Sequence, residues 1–160
     1  MAGKILVAYY SRTGTTRTVA EKLAGELGAD VEEIVDIKDR TGVMGYLFAG
    51  RDAMRGWLTV IKPAQKKPKD YALVVVGTPI WAWTAAPAAR TYLSQHKGDL
   101  KKVAFFCTQG GSGSERAFKA LEDACGRKPV AVLVLKTGEV ANGLFGKQVK
   151  EFASAVRKAE

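Results

Sequence analysis

The sequence predicts an α/β fold, a parallel sheet with helices on both faces, and three observations lead there. Short continuous apolar runs recur at residues 4–10, 71–77, 102–108 and 129–135, too short for helices and bounded by polar residues, as in buried parallel strands. Segments with apolar residues at helical spacing lie between them. The connections are long enough for right-handed crossovers, which gives a three-layer sandwich of five strands and five helices.

The first strand is KILVAYY, ended by Ser11-Arg12-Thr13-Gly14. From Thr16, the residues Val19, Ala20, Leu23, Ala24 and Leu27 predict the first helix, with Gly28 as its C-terminal cap. DVEEIVDI, residues 30–37, predicts a strand whose acidic content suits the sheet edge, followed by a turn at DRTG. Residues 43–61 carry Met44, Leu47, Phe48, Met54, Trp57 and Leu58 at helical spacing. This second helix is weakened by three internal glycines, and a solvated basic connection from Lys62 to Lys69 follows. YALVVVG predicts the third strand, and Pro87 to His96 the third helix with proline in its first turn. KVAFFCT and PVAVLVL predict the last two strands. Phe118, Leu121 and Cys125 mark the helix between them, and Val149, Phe152, Ala153 and Val156 mark the last helix.

At 160 residues the chain is expected to form one domain over residues 1–160, with 47% hydrophobic residues to build its core. Twenty-five Lys and Arg against sixteen Asp and Glu give a net charge of +9. This charge favours an anionic partner or surface without specifying a fold. Cys107 and Cys125 belong to no metal-ligand cluster, so buried free thiols and no metal are expected. No signal peptide and no transmembrane segment is evident, and a cytoplasmic location is expected.

In an open parallel sheet, ligands bind beyond the carboxyl ends of the strands. After the first strand, Ser11, Arg12, Thr13, Gly14, Thr15 and Thr16 lead into a helix start, where hydroxyls, N–H groups and the helix dipole suit a phosphate. Capping alone also explains these residues. The lysine of a triphosphate loop and the G-x-G-x-x-G of a dinucleotide site are both missing, so a monophosphate is the better match. After the third strand, Thr78, Pro79, Ile80, Trp81, Ala82 and Trp83 put two indoles at the crevice mouth. The i, i+2 spacing assigns Trp81 to a ligand and Trp83 more weakly; anchoring of the loop is the plainer alternative. After the fourth strand, Thr108, Gln109, Gly110, Gly111 and Ser112 expose backbone amides that suit the polar edge of a heterocycle, or form only a turn.

Together, S-R-T-G-T-T after KILVAYY, P-I-W after strand three and the Gly/Ser loop after strand four resemble the flavodoxin-like family. The resemblance implies a five-stranded sheet in the order 2-1-3-4-5 and bound flavin mononucleotide (FMN). Ser11 to Thr16 would hold its phosphate, Pro79, Ile80 and Trp81 would flank the isoalloxazine, and Thr108 to Ser112 would line its far edge. The sequence departs from the family twice. The loop after strand four has no aromatic residue, which leaves one flavin face open or covered by Tyr46, Phe48 or Trp57. Carrier flavodoxins are also strongly acidic, whereas this chain is +9, which favours an anionic reduced flavin and disfavours the usual carrier partners.

No catalytic side chain is assigned, because the flavin supplies the redox chemistry. His96 is expected on the surface. Cys107 and Arg116 lack phosphatase-loop spacing, and Tyr10, Ser11 and Gly77 stand where a receiver domain needs acids. The expected function is electron transfer or small-molecule reduction through FMN, with a redox partner protein or a small-molecule acceptor such as a quinone. NAD(P)H stays open as a donor, since no motif for a nicotinamide nucleotide is visible. The alternative is a flavin-free module of this fold that binds an acidic partner or nucleic acid through its basic surface. Thr13, Gly14 and Trp81 favour the flavin.

Overall fold

The computed structural model describes residues 3–38, 42–55 and 57–160, without the side chains of Val43, Tyr46, Ala53 and Met54. The turn expected at DRTG therefore lies largely outside the described residues, as do the contacts of Tyr46. The chain runs β1 (Ile5–Tyr9), α1 (Thr15–Leu27), β2 (Asp30–Glu33), α2 (Gly42–Met54), β3 (Leu73–Trp81), β4 (Thr84–Ala85), α3 (Pro87–Gln95), β5 (Lys102–Gln109), α4 (Ser114–Cys125), β6 (Val132–Lys136), α5 (Thr137–Ala141) and α6 (Gly146–Ala159).

Five strands pair in parallel in the order β2-β1-β3-β5-β6, and β4 pairs antiparallel with the end of β3. Counting the parallel strands alone, this is the expected 2-1-3-4-5 order, with the acidic β2 at one edge. The two-residue β4 and the short α5 are additions that no sequence period announces.

Side chains alternate across the sheet, as the period of two requires. Ile5, Val7, Tyr9, Leu73, Val75, Ala104 and Phe106 pack toward α1 and α6. Leu6, Ala8, Tyr10, Val74, Val76, Val103 and Phe105 pack toward α3 and α4. At β6 the alternation is incomplete as a core: Leu133 and Leu135 are buried, while Val132 and Val134 are exposed. The continuous apolar run PVAVLVL predicts burial on both faces, but the α3–α4 layer leaves the outer face of this edge strand open.

The second helix also differs from its sequence reading. Among its described side chains the buried positions are Gly45, Ala49 and Asp52, spaced four and three residues apart. Met44, Leu47 and Phe48 face outward, as do Trp57 and Leu58 after the helix. Small residues allow α2 to lie close to the body of the protein, and the large apolar residues that revealed its period stay accessible.

Candidate functional site

The first loop bends sharply at Gly14, whose φ of 102° suits glycine. Ser11 Oγ accepts a hydrogen bond from the Gly14 N–H at 3.0 Å, and Thr18 Oγ1 donates to the Gly14 carbonyl at 2.9 Å. The loop is thereby fixed before α1 begins, and the first N–H groups of the helix point away from any helical acceptor. Thr13 is exposed and Thr15 half-buried. Arg12 reaches across to the carbonyl of Gly42 at 3.3 Å, which ties this loop to the start of α2.

Thr16 is buried, and its hydroxyl lies 2.9 Å from that of Thr108 at the end of β5. That bond links the first loop to the third. Next to Thr108, Gln109 is 8% exposed, and its Oε1 is buried with no hydrogen-bond partner. An orphaned buried acceptor costs stability unless a partner such as water, an ion or a ligand satisfies it. Gly110, Gly111 and Ser112 are exposed beyond it.

The loop expected after the third strand is mostly strand. β3 continues through Trp81, turns at Ala82 and Trp83, and returns as β4, with Trp81 paired to Thr84 and Ile80 to Ala85. Ala82 and Trp83 both have positive φ, 48° and 63°, the signs of the tight hairpin turn that normally selects Asn-Gly. Thr78 is fully buried, with its hydroxyl donating to the Pro79 carbonyl and accepting from the Ala86 N–H. Its hydroxyl therefore holds the start of the hairpin.

The i, i+2 reading of the two indoles assumed an extended chain, and the turn removes that alternation. Trp81 is half-buried, edge-on to Tyr10 with ring centroids 5.3 Å apart. Trp83 is 60% exposed. The hairpin also touches the third loop: a Cβ on Gly113, the residue before α4, would lie 2.7 Å from Trp83 Cα and 2.9 Å from Ile80 Cγ2.

A cavity of about 510 Å³ is lined by Leu47, Gly50, Arg51 and Arg55 of α2 and its end, and by Ile80, Trp81, Ala82 and Trp83 of the hairpin. Sequence reasoning missed Arg51, Arg55 and Gly50, because nothing local marks a helix face that meets a distant hairpin. Phe48 and Trp57, two of the candidate covers for a flavin face, both lie beside Arg51, whose Cζ is 4.7 Å and 5.2 Å from their ring centroids.

Both cysteines are free and buried, and burial pushes the Cys107 thiol up to about 12. His96 departs from its expected place on the surface: it is half-buried, with its ring centroid 4.7 Å from that of Tyr92, and burial lowers its pKa. Among the described residues no His, Cys, Asp and Glu cluster fit for a metal is present, and no helix is long and apolar enough to cross a membrane.

With these loops converging on one edge of the sheet, the family model described as Flavodoxin matches residues 52–156. The chain belongs to the flavodoxin family. A flavoprotein of Lactobacillus acidophilus in complex with FMN has a similar structure at TM-score 0.73 and 24% identity, over 88% of this chain and 98% of that one. A protein of Bacteroides eggerthii is 28% identical at TM-score 0.69, over 89% of this chain and 96% of its own. The flavodoxin of Fusobacterium nucleatum bound to FMN is 13% identical at TM-score 0.60, with 98% of both chains covered. No curated protein sequence matches the chain.

Proposed function

We propose that this flavodoxin-family chain binds FMN at the carboxyl edge of its sheet and moves electrons through it, as a carrier or as a small reductase. Bound FMN supplies redox chemistry in one-electron or two-electron steps. The observation that carries the reading is the convergence of three loops: Thr16 and Thr108 join the first to the third at 2.9 Å, and Gly113 abuts the hairpin at Trp83.

The residues fit the group. The α1 N-terminus and the accessible hydroxyls of Thr13 and Thr15 suit a monophosphate, with the helix dipole favouring its charge. Arg12, Ser11 and Gly14 shape that loop, while the Thr16 side chain serves the link to Thr108. Pro79, Ile80 and Trp81 offer an apolar wall for the ring system. The unpartnered Gln109 Oε1 is an acceptor that a donor on a bound heterocycle would satisfy, and the open space at Gly110 and Gly111 admits close approach.

The net charge of +9 favours the anionic form of the reduced group. It also favours a redox partner protein with an acidic face, or an anionic small-molecule acceptor such as a charged quinone. A visible absorption titration with FMN tests the reading. A shifted flavin spectrum with saturable binding is the expected result, and an unperturbed spectrum at all concentrations overturns it.

A further inference from the structure

The cavity between α2 and the hairpin is not used by the loops that serve the phosphate and the far edge of the ring. Its volume of about 510 Å³ falls in the range of sites that hold drug-sized ligands. Flat apolar surface comes from the indoles of Trp81 and Trp83, with Ile80 beside them. Gly50 opens the facing helix, since a Cβ there would meet nothing within 4 Å.

Its charged groups share one sign. Asp52 is the neighbouring carboxylate, and it is already shared: Lys38 Nζ donates at 3.0 Å to one oxygen, and Arg51 donates at 3.1 Å and 3.2 Å to the other. Arg55 lies 4.9 Å over the Trp57 ring and, among the described residues, is paired with no carboxylate. Among the described residues, the charged side chains that line the cavity are thus the guanidinium groups of Arg51 and Arg55. The backbone at Ala82 and Trp83 is held at positive φ, a strained state of the kind that clusters at ligand clamps.

We propose that this cavity binds planar aromatic anions of about two fused rings, carboxylates or sulfonates, with the rings against the indole of Trp83 and the anionic group toward Arg55 and Arg51. The proposal rests on the reading that Ile80 and Trp81 border the FMN site, which makes the ligand a neighbour of the flavin and a candidate electron acceptor or donor.

The test is calorimetric titration of 2-naphthoate and of uncharged 2-naphthamide, each against the chain with saturating FMN and without FMN. Expected is naphthoate binding about tenfold tighter than naphthamide, the scale of a charge-assisted hydrogen bond. Arg51→Gln with Arg55→Gln should bring the two affinities together while the FMN titration is unchanged. Gly50→Leu, which fills the cavity and improves helix propensity, should abolish binding of both ligands.

Equal affinity for the two ligands, no binding of naphthoate to either form, or a naphthoate preference that survives in the double variant overturns the proposal. Displacement of naphthoate by FMN also overturns it, because the cavity would then be the seat of the flavin. Failure of FMN to bind removes the proposed function instead, and the comparison without FMN still decides the anion site.

Discussion

The loop after β1 and the hairpin after β3 both reverse or redirect the chain at the carboxyl edge of one sheet, with different residues. At the first, glycine takes the positive φ: Gly14 sits at 102° with open space around it. At the second, Ala82 and Trp83 take positive φ with side chains attached, a conformation costing on the order of 1–3 kcal/mol per residue. The first loop is low in strain and suited to any monophosphate. The second is held strained by its neighbours, and it presents an indole that neither an Asn-Gly nor a Gly-Gly turn would carry. General binding of phosphate needs little more than a helix start and hydroxyls, whereas a shaped aromatic wall needs support from elsewhere in the fold.

The sharpest way to break this comparison is to load both glycines with a methyl group. Gly113→Ala adds backbone strain at φ 114° to a collision with Trp83 and Ile80, and we expect a loss of about 3 kcal/mol in chemical denaturation. Gly14→Ala meets no atom within 4 Å, so only strain of about 1–2 kcal/mol is expected. Equal losses would mean that the hairpin yields freely and is not held by the third loop.

Next in size is the phosphate loop. Thr13→Ala with Thr15→Ala should weaken FMN binding by about 0.5–1.5 kcal/mol per hydroxyl, read as a rise in Kd in the absorption titration. An unchanged Kd would remove these hydroxyls from the site. The complementary change at the hairpin, Ala82→Asn with Trp83→Gly, supplies the residues that the turn favours. It should stabilise the protein by about 1 kcal/mol while removing the exposed indole, and a lower Tm would show that the hairpin carries no relievable strain.

A smaller effect separates global stability from both loops. Burial holds the His96 imidazole below its ordinary 6.5, with Asp99 and Glu32 acting in the opposite direction. The unfolded chain therefore takes up a proton at a higher pH than the folded one. The contribution of neutral His96 is complete above about pH 6.5 and is lost as pH falls below it. His96→Gln should flatten that part of the Tm-versus-pH curve and leave FMN affinity as it was. A curve identical to that of the parent would mean that the imidazole titrates alike in both states.

Much of the fold is legible because the central strands are buried on both faces, which makes ILVAY, LVVV and AFFC continuous apolar runs. The end of α1 reads equally well, since Gly28 follows Leu27 and its N–H bonds to the Ala24 carbonyl. The hairpin does not: Ala-Trp is no turn signal, and the strand period simply runs on through Pro79, Ile80 and Trp81. The face of α2 is misleading for a different reason. Periodicity reports which residues share a face, but only packing decides whether that face is inward, and here Gly45, Ala49 and Asp52 take the inside.

By itself the sequence determined the layers, the parallel sheet, the acidic edge strand and the glycine turns at the starts of α1 and α4, because local period and turn chemistry are written in neighbouring residues. Tertiary structure alone decided that Thr16 meets Thr108 across 92 positions, that Gly113 supports the Trp83 turn, and that Arg51 and Arg55 face it across a cavity. Those contacts depend on how crossovers bring distant elements together, and no local pattern encodes that distance.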